Sequence, residues 1–286
     1  MIGEHPGPKA LLDVFDAMAH CPFRFVGPLI VGAAVILQPR LVTAEQVPVR
    51  HTEGLVHGFL ALRTLDGKRL ADGDMTQVAK GGRVSSHLVF RFTDGSIYDE
   101  TTIFSERDVF RLLTDHLVER GPSFKQAIDT SLDASTGQIT VRYTNGEGKE
   151  EVLNERLDLP NDVANGLLLT LVKDIQPSAS KTVVSMVVTT PKPRLAKVEI
   201  VPQGTEAITS GDTTYQTVRY DVKIKIAGIA GTLAHVVGKQ PPDIRVWVLA
   251  GMAPAFVKWE GPLFDGGPIW RVELALPPGF PARRSR

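Results

Sequence analysis

The stretch Tyr215-Gln216-Thr217-Val218-Arg219-Tyr220-Asp221-Val222-Lys223-Ile224-Lys225-Ile226 decides the fold class. Val218, Tyr220, Val222, Ile224 and Ile226 fall on one side, and Thr217, Arg219, Asp221, Lys223 and Lys225 on the other. Side chains that alternate at period two describe extended chain, because successive Cβ atoms of a strand point to opposite faces. One apolar and one charged face is the signature of an antiparallel sheet wetted on one side. At ~3.4 Å per residue this strand spans roughly 40 Å, against about five or six residues for an ordinary strand. Strands of that length belong to strongly curved sheets and barrels.

Outward from this strand, the chain from Glu53 onward reads as short runs cut by turn dipeptides. Asp66-Gly67, Gly81-Gly82, Asp94-Gly95 and Asn145-Gly146 each separate stretches that alternate apolar and polar. Such dipeptides supply the positive-φ positions of tight hairpins. Leu88, Phe90 and Phe92 alternate with His87 and Arg91 before Asp94-Gly95, and Ile139, Val141 and Tyr143 with Thr140, Arg142 and Thr144 before Asn145-Gly146. Consecutive hairpins make a meander, in which sequence neighbours pair in space. Downstream, Ile244 to Leu249, Ala255 to Trp259 and Ile269 to Leu276 read as closing strands, and Pro191-Lys192-Pro193 as a bulged turn. The expected fold is mainly β: an antiparallel meander forming a curved half-barrel or barrel-like sheet with one or two short helices.

Two segments supply the helices. Asn161 to Ile175 places Ala164, Leu168, Leu171 and Ile175 at helical spacing, with Asp162 in the first turn and Lys173 in the last. Gly166 weakens that helix by about 1 kcal/mol relative to alanine. Gly228 to Val237 puts Ile229, Leu233, Val236 and Val237 on one face, with only Thr232 and His235 polar. A short helix that is apolar all round must be covered by something.

The N-terminus points to export. Residues Phe25 to Leu37 are uncharged and apolar, preceded by Arg24 and followed by Val42-Thr43-Ala44. A basic flank, a short apolar core and a small-x-small site describe a secretory signal peptide. The run is too short to span a bilayer, which takes roughly 20 apolar residues, and Gly27, Pro28 and Gly32 suit a buried core segment poorly. Glu4, Asp13 and Asp16 are foreign to the basic lead of a signal peptide, so Met18 is the expected start and Ala44 the last residue removed. The domain organisation expected is a signal peptide over 1–44, one β-rich domain over 45–276 and a Pro-rich, basic, disordered tail over 277–286. Cleavage removes Cys21, the single cysteine, leaving a cysteine-free mature protein, periplasmic or extracellular, with no disulfide and no stable membrane span.

The bulk composition excludes several classes. The 286 residues carry 32 Lys+Arg and 32 Asp+Glu, so no global field attracts nucleic acid or anionic lipid. There is no G-x-S-x-G, no H-E-x-x-H, no EF-hand loop and no dinucleotide fingerprint. Gly231 to Gly238-Lys239 has the wrong spacing for a phosphate loop and Gln240 where Ser or Thr is required. His51, His57, His87, His116 and His235 show no metal-ligand spacing, although His57 and His87, one hairpin apart near Asp99 and Glu100, are the nearest thing to a cluster. Ser85-Ser86-His87, Asp99-Glu100 and Glu150-Glu151 are neighbours on strands and face apart. No cofactor, metal or catalytic residue is assigned.

The aromatic residues and the second helix carry the candidate site. Trp247 sits between Val246 and Val248 and reads as core. Trp259 and Trp270 flank an irregular segment with Pro262, Gly266, Gly267 and Pro268. The candidate ligand-binding residues are Ile229, Leu233 and Val236 as a plug, with Trp259 and Trp270.

Signal peptide, serial hairpins, an apolar helix before the end, and closing strands with Trp247 and Pro254-Ala255-Phe256-Val257 give the chain a layout over Glu53 to Leu276 that is similar to uncharacterised exported bacterial β proteins related to the periplasmic lipoprotein carriers. That resemblance implies a curved sheet around an apolar cavity plugged by short helices, and transfers no functional residue. Three functions follow in order: an exported, non-enzymatic envelope protein binding an apolar small molecule or lipid; an envelope structural module binding another protein; and a hydrolase with dispersed carboxylates or histidines. A hollow concave face favours the first, a packed core with an exposed apolar patch the second, and convergent, perturbed carboxyl groups in a cleft the third.

Overall fold

The computed structural model describes residues 46–210, 213–226 and 241–275. The proposed signal peptide over 1–44, the tail over 277–286 and the apolar segment Gly228 to Val237 lie outside the described residues.

The first half of the sheet is β1 (Leu55–Thr64), β2 (Arg69–Lys80), β3 (Arg83–Phe92), β4 (Ile97–Glu106), β5 (Phe110–Arg120), β6 (Ile128–Asp133), β7 (Gln138–Thr144) and β8 (Glu150–Arg156). After one helix, α1 (Leu168–Asp174), come β9 (Thr182–Val188), β10 (Arg194–Ser210), β11 (Thr213–Ile226), β12 (Ile244–Leu249), β13 (Phe256–Pro262) and β14 (Ile269–Leu274). Among the described residues, 14 strands form one sheet in the order β8-β7-β6-β5-β4-β3-β2-β1-β14-β13-β12-β11-β10-β9, every neighbour antiparallel. Over the described residues the sheet is curved and does not close into a barrel. The meander expected from the turn dipeptides is present, joined in its middle by the first and last strands, with Leu62 opposite Val272 and Thr64 opposite Trp270. Its two free edges are therefore β8 and β9, which follow one another in sequence.

The turns account for the register. Gly67, Gly81, Gly82 and Gly95 take positive φ between consecutive strands. In the β7–β8 turn the positive φ belongs to Gly148, one dipeptide beyond Asn145-Gly146. The Asn145 side chain makes the difference: its Oδ1 accepts from the backbone N–H of Glu147 at 2.9 Å and of Lys149 at 3.0 Å, drawing the turn out to a longer loop.

Both sheet edges are guarded. β8 carries Glu150, Glu151, Glu155 and Arg156, and charge on an edge discourages pairing with another chain. β9 is covered by the segment that precedes α1. Val163 bridges Ser185, the Asn165 side chain both accepts from and donates to the Val187 backbone at 2.8 Å, and Ser185 Oγ donates to Asp162 at 3.0 Å. This corrects the long helix expected over Asn161 to Ile175, of which only Leu168–Asp174 is helical. Asp162 and Asn165 bond to the sheet instead of capping a helix, the usual competition between Asx side chains and helix. Gly166 at φ +64° then ends the extended stretch.

The core lies on the concave face. Leu60, Leu62, Phe90, Phe104, Ile139, Val198, Val222 and Val246 belong to one buried cluster with Leu167, Leu171, Val172 and Ile175 around α1. The helix thus occupies the interior of the curve and touches strands from both halves: Gln77 donates to Thr170 Oγ1 at 3.1 Å, and the Tyr220 hydroxyl donates to the Ile175 carbonyl at 2.7 Å. The chain before β1 straps α1 from outside. Asp174 accepts the backbone N–H groups of Arg50 at 2.5 Å and His51 at 2.7 Å, Lys173 pairs with Glu53, and Glu106 accepts from the Glu53 N–H at 2.7 Å.

The convex face is polar and orderly. β11 presents Val218, Tyr220 and Val222 inward, and Lys223 and Lys225 outward to ion pairs with Asp243 and Glu199. His57, His87 and His116 also face outward, each bonded to an aspartate on the next strand: Asp74 at 3.1 Å, Asp99 at 2.9 Å and Asp129 at 3.0 Å. Trp247 is buried, but on this face and apart from the concave core. It stands between Arg219 and Lys258 in the register, donates to Glu206 at 3.2 Å, and carries the Lys258 ammonium 3.7 Å above its ring. A bulge between Trp247 and Val248 separates its phase from that of Phe256.

Candidate functional site

A cavity of about 210 Å³ opens between α1 and the concave sheet. It is larger than the roughly 150 Å³ apolar cavity known to hold a benzene. Leu60, Met75, Leu88 and Phe90 supply one wall, Met186, Ile224, Ile244, Trp259 and Val272 the facing one, and Leu168 and Leu169 of α1 the cover. Leu263 and Phe264, from the loop between β13 and β14, complete it. The lining follows from the alternation of the strands: every second residue of β1 to β4 and of β11 to β14 points inward, and on β1 to β3 those that line the cavity are apolar apart from the uncharged Gln77 and Ser86.

The acidic groups on the strands cluster on β4 and β5. Tyr98, Glu100 and Thr102 continue the apolar phase of β4 toward Phe104, and Asp115, Leu117 and Glu119 stand opposite them on β5. Glu100 and Tyr98 line the cavity, and the Tyr98 hydroxyl donates to Glu100 Oε2 at 3.0 Å. Asp115, 3% exposed, accepts from Thr102 Oγ1 at 2.8 Å. Gly166 lies over this pair so closely that an added Cβ would sit 1.9 Å from Thr102 Oγ1 and 3.0 Å from Asp115 Oδ1. The carboxyl groups have no cationic partner among the described residues.

The electrostatics follow. Removal from water, then the charge of Asp115, raises the Glu100 carboxyl to about 8, against the opposing hydrogen bond from Tyr98. Burial and the neighbouring Asp265 raise Glu119 to about 8. Burial raises Asp115 to about 6, with the Thr102 hydroxyl holding it down. Tyr98, buried beside Glu100, is held well above its ordinary value. Charged groups in an apolar setting are costly and neutralise where they can. Two polar atoms of this region find no hydrogen-bond partner among the described residues: Glu119 Oε1, on a residue 5% exposed, and Trp259 Nε1, on a residue 8% exposed.

Of the residues expected from sequence, Trp259 lines the cavity. Trp270 is buried beside it in an aromatic group with Phe92, Phe124 and Phe264, at ring separations of 5.1–5.8 Å. Ile229, Leu233, Val236 and His235 lie outside the described residues; Ile226 and Pro241, which flank their segment, both line the cavity. No group of three or more histidines, cysteines or carboxylates with metal-holding geometry occurs among the described residues. The suggested cluster of His57, His87, Asp99 and Glu100 divides: Glu100 faces inward, and each histidine keeps its own aspartate outside. Ser86 lines the cavity, with His87 on the opposite face. Asp115 and Glu119 were not singled out from sequence, and Glu100 only as a neighbour of Asp99 and the histidines. The legible signal is a glutamate in the apolar phase of a strand, between Tyr98 and Phe104. On β5 that phase is hidden by the bulge opposite Ile103 and Phe104, which shifts alternation by one residue between Leu112 and Thr114.

No family model matches the chain. No curated protein matches it. Among solved structures, the chain is similar to a β-barrel-like protein of a domain of unknown function, DUF1849, from Brucella abortus, at 9% identity over 78% of this chain and 96% of that one, with a TM-score of 0.46.

Proposed function

We propose that this chain is an exported envelope protein that binds an apolar small molecule or lipid-like chain in the cavity beneath α1. The observation that carries the reading is the cavity itself, lined by Leu60, Met75, Leu88, Phe90, Ile244 and Trp259 where a curved sheet could have been filled by side chains. Apolar concavities with a few placed polar groups are the usual form of small-molecule sites. Burying an apolar chain there contributes roughly 0.8 kcal/mol per methylene. Export is supported by the Val42-Thr43-Ala44 site, and cleavage after Ala44 would leave the strap from Val47 to Glu53 complete.

The displaced carboxyl groups would suit an acid–base pair, but their placement favours binding. Catalytic groups must both reach the substrate. Here Asp115 is covered by Thr102 and Gly166, and only Glu100 of the pair lines the cavity.

The experiment is a secretion in a Gram-negative host, followed by intact mass and titration with N-phenyl-1-naphthylamine, an uncharged dye that brightens in apolar surroundings. The expected results are a mass beginning at Glu45 and a saturable rise in fluorescence that Leu88→Trp abolishes by filling the cavity. A flat titration of the folded wild type overturns the binding reading. A cytoplasmic species retaining Phe25 to Leu37 overturns export.

A further inference from the structure

Resting on the cavity-binding reading, we propose that the ligand is a cationic amphiphile, an apolar body ending in a protonated amine, with the amine seated against Glu100. The charge of the walls is the first reason. Among the described residues that line the cavity, Glu100 and Asp265 are charged and none is basic. Glu119 and Asp115 stand behind Glu100 on the same face, and Lys125, beside Gly266 at the β13–β14 loop, is exposed. Among the described residues, a carboxylate or phosphate head would meet the charges of Glu100 and Asp265, with uncharged polar groups on Gln77, Ser86, Thr102, Asn165, Thr170 and Thr189 and the indole N–H of Trp259.

The second reason is independent of the charge count. Glu119 is nine-tenths buried and leaves Oε1 without a partner. A buried acceptor left unmade costs about 1–3 kcal/mol, and such groups are ordinarily satisfied. Glu119 stands behind the lining, and the carboxyl groups that the cavity itself offers are those of Glu100 and Asp265; an ammonium, with three N–H donors and no acceptor, matches them. Phe90, Tyr98, Trp259 and Phe264 add aromatic faces to the same walls, and aromatic faces attract cations. Carboxyl groups clustered in a core without a cation are retained at a cost in stability, and a ligand that supplies the missing charge gives that arrangement a use.

The proposal has a proton signature. Tyr98, Asp115 and Glu119 from the β4–β5 face and Asp265 from the loop are the titratable groups that face Glu100, while α1 presents Leu168, Leu169 and Thr170. With the Glu100 carboxyl near 8 in the free protein, an ammonium binds its ionised form, expels a proton, and binds more tightly as pH rises from 6 to 8.

Calorimetric titration of the mature protein with octylamine, octanol and octanoate, equal in chain length, tests this. Octylamine should bind roughly tenfold or more tightly than octanol at pH 8, the worth of one charge-assisted hydrogen bond, and octanoate more weakly than either. Glu100→Gln, which keeps a partner for Tyr98, should bring octylamine down to the level of octanol and abolish proton release. Octanoate binding as tightly as octylamine, or an amine preference that survives Glu100→Gln in folded protein, overturns the proposal. Should that variant not fold, the three wild-type titrations decide alone. Octanol bound without an amine preference defeats only the cation; no binding by any of the three defeats the cavity reading as well.

Discussion

Gly81 and Gly166 share one backbone conformation, with φ of +62° and +64°, and differ in what surrounds them. An added Cβ at Gly81 would meet nothing within 4 Å, whereas at Gly166 it would strike Thr102 Oγ1. Left-handed backbone costs a non-glycine residue roughly 1–2 kcal/mol. Gly81→Ala should therefore destabilise by about that amount, measured by urea unfolding. Gly166→Ala should cost roughly 1–3 kcal/mol more, because overpacking adds to the strain and disturbs the hydrogen bond between Thr102 and Asp115. Equal costs for the two substitutions would show that α1 does not press on the carboxyl cluster. This pair also marks what single residues reveal. Gly81, within Gly81-Gly82, announces a turn in any extended chain. Gly166 is a mild defect of a helix by its sequence context, and its role appears only when Thr102 of β4 and Asp115 of β5 arrive beneath it from far earlier in the chain.

At the scale of the element, β11 joins sequence pattern to structure most directly. Val222 is fully buried and paired with Ile200 and Ile244, while Lys223 faces solvent beside Asp243. Val222→Asp should cost about 4 kcal/mol or more, or abolish cooperative unfolding, since it buries a charge without a partner. Lys223→Gln should change stability by less than about 0.5 kcal/mol, the worth of an exposed ion pair. Thermal melts in which the two substitutions behave alike would refute the assignment of faces. Elements defined by their own period, such as β3, β7 and β11, were legible in the sequence for this reason. Elements defined by distant partners were not. Asn161 to Leu167 has helical spacing but spends its Asx side chains on β9, and Trp247 sits in an apolar run yet faces the ionic side, because the alternation that turns Val246 and Val248 inward turns it outward.

At the scale of the whole molecule, the pairing of β1 with β14 leaves β8 and β9 as the edges and puts α1, the connection between them, inside the curve. No local signal announces that pairing, since Leu62 and Val272 resemble any alternating residues. The carboxyl cluster is a consequence of the same architecture: β4 and β5 lie within the first half of the sheet, Gly166 before α1 lies over Thr102 and Asp115, and Glu100 stands in the cavity wall. This gives the fold a pH dependence of definite sign. Glu100 and Glu119 rise from an ordinary 4.5 to about 8, and Asp115 from 3.8 to about 6. A carboxyl group raised on folding binds its proton more tightly in the native state, so its stabilisation is complete below the unfolded value and is lost as pH climbs through the folded one. Asp66, Asp94, Asp133 and Glu199 act in the opposite sense, but they are held below their ordinary values, and their effect is confined to acid. Between pH 5 and 8 the buried cluster prevails, and stability should fall as pH rises. A tenfold difference in proton affinity between the folded and unfolded chain is worth about 1.36 kcal/mol, and roughly 2–4 °C in Tm accompanies each kcal/mol in a domain of this size. A decline of several degrees from pH 5 to pH 8 is expected in thermal melts of the ligand-free protein, and Glu100→Gln with Glu119→Gln should flatten it. A Tm that rises over this range in the wild type, or an unchanged slope in the double variant, would mean that the carboxyl groups under α1 are not the ones that titrate.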